Sequence, residues 1–267
     1  MRKILSRIPV AILAISLLAT ACQKQSKVST PDEISPSVLN RIAELGFSTD
    51  GVVKHNGGYL VEGDIYFTPE QLTQGVIDGK ELVYANEEHY RTTNLVTGTP
   101  RNITVSLSSG AAAYFSTALD TALGRYNNLG LNLTFTHVAS GGNINIVLFY
   151  QVSNVLGSSG FPTSAGNPYG TIQMNTYWYS ASTNIKYLAS IIAHEMGHCI
   201  GFRHTDYMNR SYSCGGSAVN EGSAGVGAIW ISGTPTGASA GSWMLSCSNG
   251  SDRPFTTADK TALTTVY

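Results

Sequence analysis

An α+β fold is what this sequence predicts for residues 99–267, with a smaller unit in front of it, and three observations carry the prediction. Between residues 101 and 149, stretches of strand-like alternation enclose one stretch with apolar residues at helical spacing. A second helical stretch then carries His194 and His198, four residues apart, with Gly201 and His204 behind them. The remainder is rich in Gly, Ser and Thr, and only 12% of residues are charged, which suits long ordered loops around such a framework. At 267 residues, one or two domains are expected, with ample chain for a core.

From the N-terminus, Arg2, Lys3 and Arg7 precede an apolar run from Ile8 to Leu18, then Ala19-Thr20-Ala21-Cys22. Residues 1–21 read as a secretory signal, since the run is too short for a comfortable membrane span. Two cleavages compete. Ala19-Thr20-Ala21 suits an ordinary A-x-A site, whereas Leu18-Ala19-Thr20-Ala21-Cys22 resembles a bacterial lipobox whose cysteine is acylated. The polar tether from Gln23 to Lys27 favours the second. Cys22 is therefore expected to carry a lipid and to anchor the protein in a bacterial cell envelope. Gln23 after the cysteine resembles the sorting pattern of outer-membrane lipoproteins. The formal charge is −1 and no basic stripe is visible, which argues against nucleic acid as a partner.

Residues 22–98 read as tether, small folded segment and linker. Val38, Leu39, Ile42 and Leu45 share one helix face, and Gly46 supplies a stop. Gly57-Gly58 turns into an extended apolar segment, Tyr59 to Phe67, and Thr68-Pro69-Glu70-Gln71 is a capped helix start. The polar stretch from Asn86 to Thr93 reads as a linker.

From 99 onward, Ile103 to Leu107 alternates as a strand. Phe115, Leu119, Ala122 and Tyr126 mark a helix within 110–127. Leu131, Leu133 and Phe135 alternate again, and Ile144 to Phe149 is a further strand. A Gly-, Ser- and Pro-rich passage leads to Thr171-Ile172-Gln173-Met174 and then to the histidine helix. Thr256 to Leu263 reads as a short capped helix closing the domain. Tyr177-Trp178-Tyr179 reads as core packing before a substrate contact.

The chemistry gathers in His194-Glu195-Met196-Gly197-His198-Cys199-Ile200-Gly201-Phe202-Arg203-His204. Imidazoles at i and i+4 lie one above the other on a helix face, close enough to share Zn²⁺. Glu195 is the general base such a helix offers to a metal-bound water. Continued as helix, the chain would carry His204 roughly 9 Å beyond His198 at about 1.5 Å per residue. Gly201 tolerates the left-handed conformation that turns the chain and lets His204 return as third ligand.

At these residues the chain resembles the metzincin metallopeptidases, whose signature is HExxHxxGxxH followed by a methionine turn. Within them it is most similar to the bacterial dual-action HEIGH group, with HEMGH here. The resemblance implies a metzincin-type zincin domain with a twisted mixed sheet, an active-site helix, a Met-turn and one catalytic Zn²⁺. It also implies a zinc endopeptidase acting on extended peptide or protein substrates, with the substrate-pairing edge strand near Ser158–Pro162. Met244, in Ser242-Trp243-Met244-Leu245-Ser246, is the Met-turn candidate; Met208 follows His204 too closely. Some metzincins place a tyrosine two residues after that methionine, where this chain has Ser246. The rival reading is a zinc-stabilised surface binding lipoprotein without catalysis, which the intact Glu195 argues against.

Three cysteines remain beyond Cys22. Cys214 and Cys247 are expected to form a disulfide in the loop-rich lower half, with Cys199–Cys214 as the alternative. Cys199 reads as a small buried hydrophobe. His55, His89 and His137 have no spaced partners. Asp206 reads either as an acceptor orienting the site or as a turn former. Val61-Glu62-Gly63-Asp64-Ile65 resembles the FxGDI motif of astacin-type propeptides, with Val for Phe. That resemblance implies a zymogen in which Asp64 occupies the position of the catalytic water. An activating protease would then cut the 86–101 linker, after Arg91 or Arg101, and release the enzyme from its anchor. The alternative is a strand and a Gly-Asp turn without metal contact.

Overall fold

The computed structural model describes residues 33–73, 89–222, 227–235 and 237–267. The signal, Cys22, the Leu82-Val83-Tyr84 segment and the first part of the linker lie outside the described residues. Residues 34–267 pack as one unit. Among the described residues no helix is long and apolar enough to cross a membrane.

The N-terminal segment begins with α1, Pro36–Glu44, capped by Ser35, whose side chain accepts from the Val38 amide. Strands β1, Val53–His55, β2, Gly58–Val61, and β3, Ile65–Phe67, form an antiparallel sheet in that order. The segment from Tyr59 to Phe67 is thus not one extended run. Glu62 (φ 55°) and Gly63 (φ 92°) fold it into a hairpin, with Asp64 completing the turn between the paired residues Val61 and Ile65. Helix α2, Pro69–Thr73, starts with a reciprocal cap: Thr68 N–H donates to Gln71 Oε1, and Gln71 N–H to Thr68 Oγ1. Ile42, Phe47, Val61, Ile65 and Phe67 form a small core of their own, against which Phe161 packs.

Residues 89–93, read as part of the linker, are packed. Tyr90 is buried, and β4, Tyr90–Arg91, pairs with a strand near the C-terminus. Arg101 opens β5, Arg101–Leu107, and donates to Gly166 O and Asn167 Oδ1. Helix α3, Ala113–Asn127, and strands β6, Leu133–Val138, and β7, Ile144–Phe149, follow. Next come a short β8, Gly157–Ser158, and β9, Thr171–Asn175. The sheet order is β6-β5-β7-β9-β8, parallel except for the antiparallel edge β8. The edge strand therefore begins one residue before the expected stretch and ends early.

Helix α4, Ile185–Cys199, is capped by the Asn184 side chain and buries every residue from Leu188 to Cys199. It packs against α3 over the core lined by Phe115, Leu119, Tyr126, Ile146, Ile172 and Ile192. The lower half holds α5, Ser211–Cys214, β10, Ile229–Trp230, which pairs with β4, and α6, Thr257–Val266. Thr256 and Asp259 form a capping box at the start of α6. The architecture is α+β with a mixed sheet, as the element order predicts.

Candidate metal centre

His194 and His198 project from the last turns of α4 and are buried. The helix ends at Gly201, whose φ of 107° suits glycine, and a Cβ there would lie 2.8 Å from Leu95 Cδ2. Backbone bonds from Gly201 N to His198 O and from Phe202 N to Gly197 O close the helix and send the chain back. His204 thereby returns to the pair, and its Nε2 lies 3.1 Å from His198 Nε2.

The hydrogen bonds on the far side of each ring fix the tautomers. His194 Nδ1 faces Trp243 O at 2.8 Å, His198 Nδ1 faces Phe202 O at 2.8 Å, and His204 Nδ1 faces Glu221 Oε1 at 2.8 Å. Carbonyls and a carboxylate only accept, so each Nδ1 carries the proton and each Nε2 presents a lone pair to a common centre. Lone pairs converging in a buried site call for a cation.

The fourth donor comes from the hairpin turn. Asp64 Oδ2 lies 3.0 Å from His204 Nε2, 3.4 Å from His194 Nε2 and 4.0 Å from His198 Nε2. A tetrahedral shell with bonds of about 2.0–2.1 Å has edges of roughly 3.3–3.4 Å, so this donor set fits a zinc-sized ion. Asp64 Oδ1 is buried without a hydrogen-bond partner, which a metal contact would also explain. Gly63 lets the turn enter: a Cβ would meet the Arg210 guanidinium at 3.0 Å.

Charges follow the same plan. Burial, then the His194 and His204 rings, hold His198 well below the usual histidine range, neutral as a ligand must be. Burial opposes a charged His204, yet Asp64 and Glu221 on its two sides raise it well above that range, so a metal ion at its Nε2 would take the place of a proton shared with Asp64. Burial also opposes a charged Asp64, but the three imidazoles hold its carboxyl well below the ordinary value. Glu195 is buried, and burial and the nearby Asp64 carboxylate raise it well above 4.5. Ser159 Oγ lies 2.7 Å from Glu195 Oε2 and donates to it.

Over residues 60–267 the chain matches the family of dual-action HEIGH metallo-peptidases. It belongs to that family. Among solved structures it is similar to two of myroilysin. One alignment has 22% identity over 43% of this chain and 54% of that one, with a TM-score of 0.35. The other has 20% identity over 76% and 98%, with a TM-score of 0.40. The chain thus spans about half the length of the first. No curated protein matches it.

The rest of the metallopeptidase site hangs on the loops below. Met244 is buried, and its Sδ lies against Gly197, where a Cβ would approach it to 2.5 Å. Met208 lies away from this contact, near Tyr90 Oη. Ser246, two residues after Met244, donates to Asp206 Oδ1 and reaches Glu221 Oε1 at 3.1 Å. Asp206 accepts from Ser246 and Ser213, so it fastens the Met-turn to the loop after the third histidine. Cys214 and Cys247 are joined, with Cα atoms 5.1 Å apart, and Cys199 is free and buried. Tyr179 is buried, but Tyr177 and Trp178 stand exposed, and Trp178 lines the cleft. His89 pairs with Asp259 and His137 with Asp120.

Sequence reasoning missed Glu221, Ser159 and Arg203. Glu221 sits 17 residues past His204 in a Gly- and Ser-rich loop, where no spacing rule reaches it. One signal existed: only Asp206, Glu221, Asp252 and Asp259 are acidic after His204, so each was a candidate partner.

Proposed function

We propose that the protein is a zinc endopeptidase made as a zymogen and exported on a lipid anchor at Cys22. The observation that carries the catalytic part is the convergence of three Nε2 lone pairs beside a buried Glu195. A bound zinc ion would supply Lewis acidity, lowering the pKa of a water and polarising the peptide carbonyl. Glu195 does the proton work. Ser159 holds Oε2, and Oε1 takes a proton from the attacking water and passes it to the leaving amine.

Asp64 supports the zymogen reading. Its carboxylate sits among the three Nε2 atoms, and the hairpin lies along the edge β8 leads into. Ser159 N donates to Asp64 O, Tyr66 N donates to Ser159 O, and Ile65 pairs with Ser159. An extended substrate would need that same edge. Arg91 and Arg101 both lie in strands, so an activating cut after either requires that strand to open.

The test uses three full-length chains, wild type, Asp64→Ala and Glu195→Ala, with metal content and peptide cleavage measured before and after limited proteolysis. Activity in uncut Asp64→Ala, silence in uncut wild type and loss in Glu195→Ala are expected. Equal silence of the first two sinks the switch. Unchanged cleavage by Glu195→Ala sinks the mechanism. Metal binding with no cleavage in any chain favours a binding lipoprotein.

A further inference from the structure

The cleft beside the proposed base is lined by a cation that no carboxylate among the described residues meets within ion-pair distance. His194, Glu195 and Asp64 open into a cavity of about 710 Å³ whose wall includes Leu156, Tyr187 and Ile191. Arg253 lines the same cavity. Its amide donates to Ser190 Oγ and its Nη1 to Cys247 O, both at 2.8 Å. The second bond holds the guanidinium to a backbone carbonyl, and Asp206 acts on it only from beyond ion-pair distance. Its Nε is buried with no hydrogen-bond partner. Among the described residues no carboxylate lies within ion-pair distance of it. Arg210, the other arginine here, is committed to Glu221 at 3.0 Å. The acids of the cavity are also engaged, Asp64 at the histidines and Glu195 at Ser159.

A fixed, partly buried cation whose only nearby anion, Asp206, stays beyond ion-pair distance is incompletely compensated, and a carboxylate that reaches it forms a strong charge-assisted bond. The apolar wall adds a second requirement, a hydrocarbon stem to cover it. We propose, on the reading that this site hydrolyses peptides, that Arg253 selects glutamate, above aspartate, at a substrate position beside the bond that is cut. Glutamine has the same shape without the charge, and leucine has the stem alone. Discrimination against both follows from leaving the guanidinium unpaired in the complex.

The full chain, matured by limited proteolysis, is given a peptide set varied to Glu, Asp, Gln, Leu and Lys at each position flanking the cut. The same peptides are titrated by fluorescence anisotropy against the matured Glu195→Ala chain. Glu is expected to exceed Gln and Leu by tenfold or more in kcat/KM and in affinity at one position. Arg253→Met should bring the Glu-to-Gln ratio to within threefold of one, Arg253→Lys should keep part of it, and Arg253→Glu should turn the preference toward Lys. Thermal melts identify any variant that fails to fold, and the ratio in the remaining variants decides. Cleavage or binding without acidic preference overturns the assignment and leaves the peptidase reading standing. Glu-selective, Arg253-dependent binding with no cleavage does the reverse, and neither binding nor cleavage overturns both.

Discussion

At the scale of single residues, the proposed function separates groups that would hold a metal from Glu195, which would move a proton. Glu195→Gln keeps the shape of the side chain and removes the base. Peptide hydrolysis should fall by about 10²–10⁴-fold while metal content, read by atomic emission, stays at the wild-type level; parallel loss of both would mean Glu195 is structural. Glu221 acts through His204. Its carboxylate accepts from Nδ1 at 2.8 Å and also faces Arg210 at 3.0 Å. Glu221→Gln should weaken metal retention by about 10–100-fold, the usual effect of losing a carboxylate behind a ligating histidine. A chelator competition reads this directly, and an unchanged dissociation constant would remove Glu221 from the site.

At the scale of elements, the returning turn brings His204 to His198, and the disulfide ties the loop behind it to the segment after Met244. A side chain at 201 meets both a φ of 107° and Leu95 at 2.8 Å. Gly201→Ala should therefore cost about 1–3 kcal/mol in strain, more with the overlap, and loosen metal binding with it. A variant that melts and binds like wild type would show that the turn can be made otherwise. The Cys214–Cys247 bond closes a separation of 33 residues between the loop that carries Glu221 and the Met-turn. Loop entropy assigns it about 3–4 kcal/mol. Reduction, or Cys247→Ser, should lower the melting temperature by several degrees, followed by circular dichroism.

The same scale shows what a sequence exposes. The histidine helix was legible because four-residue spacing, a following glycine and a third histidine are all local. The strands of the sheet were legible from alternation and short apolar runs. The hairpin at 59–67 was not, because Glu62 adopts a positive φ that propensity disfavours. Its conformation is held from outside, by contacts with Arg203 and Ser159 that lie about a hundred residues away or more. Glu221 and Arg253 were hidden because no fixed spacing ties them to their partners, His204 for the one and Ser190 on α4 for the other.

At the scale of the whole molecule, the question is what keeps the N-terminal segment in the cleft once the chain is cut. Backbone bonds to Ser159 and the stacking of Phe47 on Phe161 contribute, but the buried contact is Glu62 with Arg203. Their side chains are each 1% exposed and approach to 3.3 Å, and Arg203 is flanked by the rings of Phe47 and Tyr207. Removing one partner of a buried pair costs about 3–5 kcal/mol, because the other charge is left behind. Here Glu221 remains 3.8 Å from Arg203 and retains part of the compensation, which places the effect at or below the lower end. Two outcomes follow for the full chain after a cut between the segment and the catalytic part. In the wild type the pieces should stay associated, so that cutting alone leaves the enzyme partly silent and, where Cys22 carries lipid, membrane-bound. In Glu62→Ala the segment should dissociate at least tenfold faster, and activity should appear with the same rate. Size-exclusion chromatography of the cut protein, sampled alongside peptide cleavage, reads both. Wild-type pieces that separate at once would show that covalent linkage alone keeps Asp64 at the histidines.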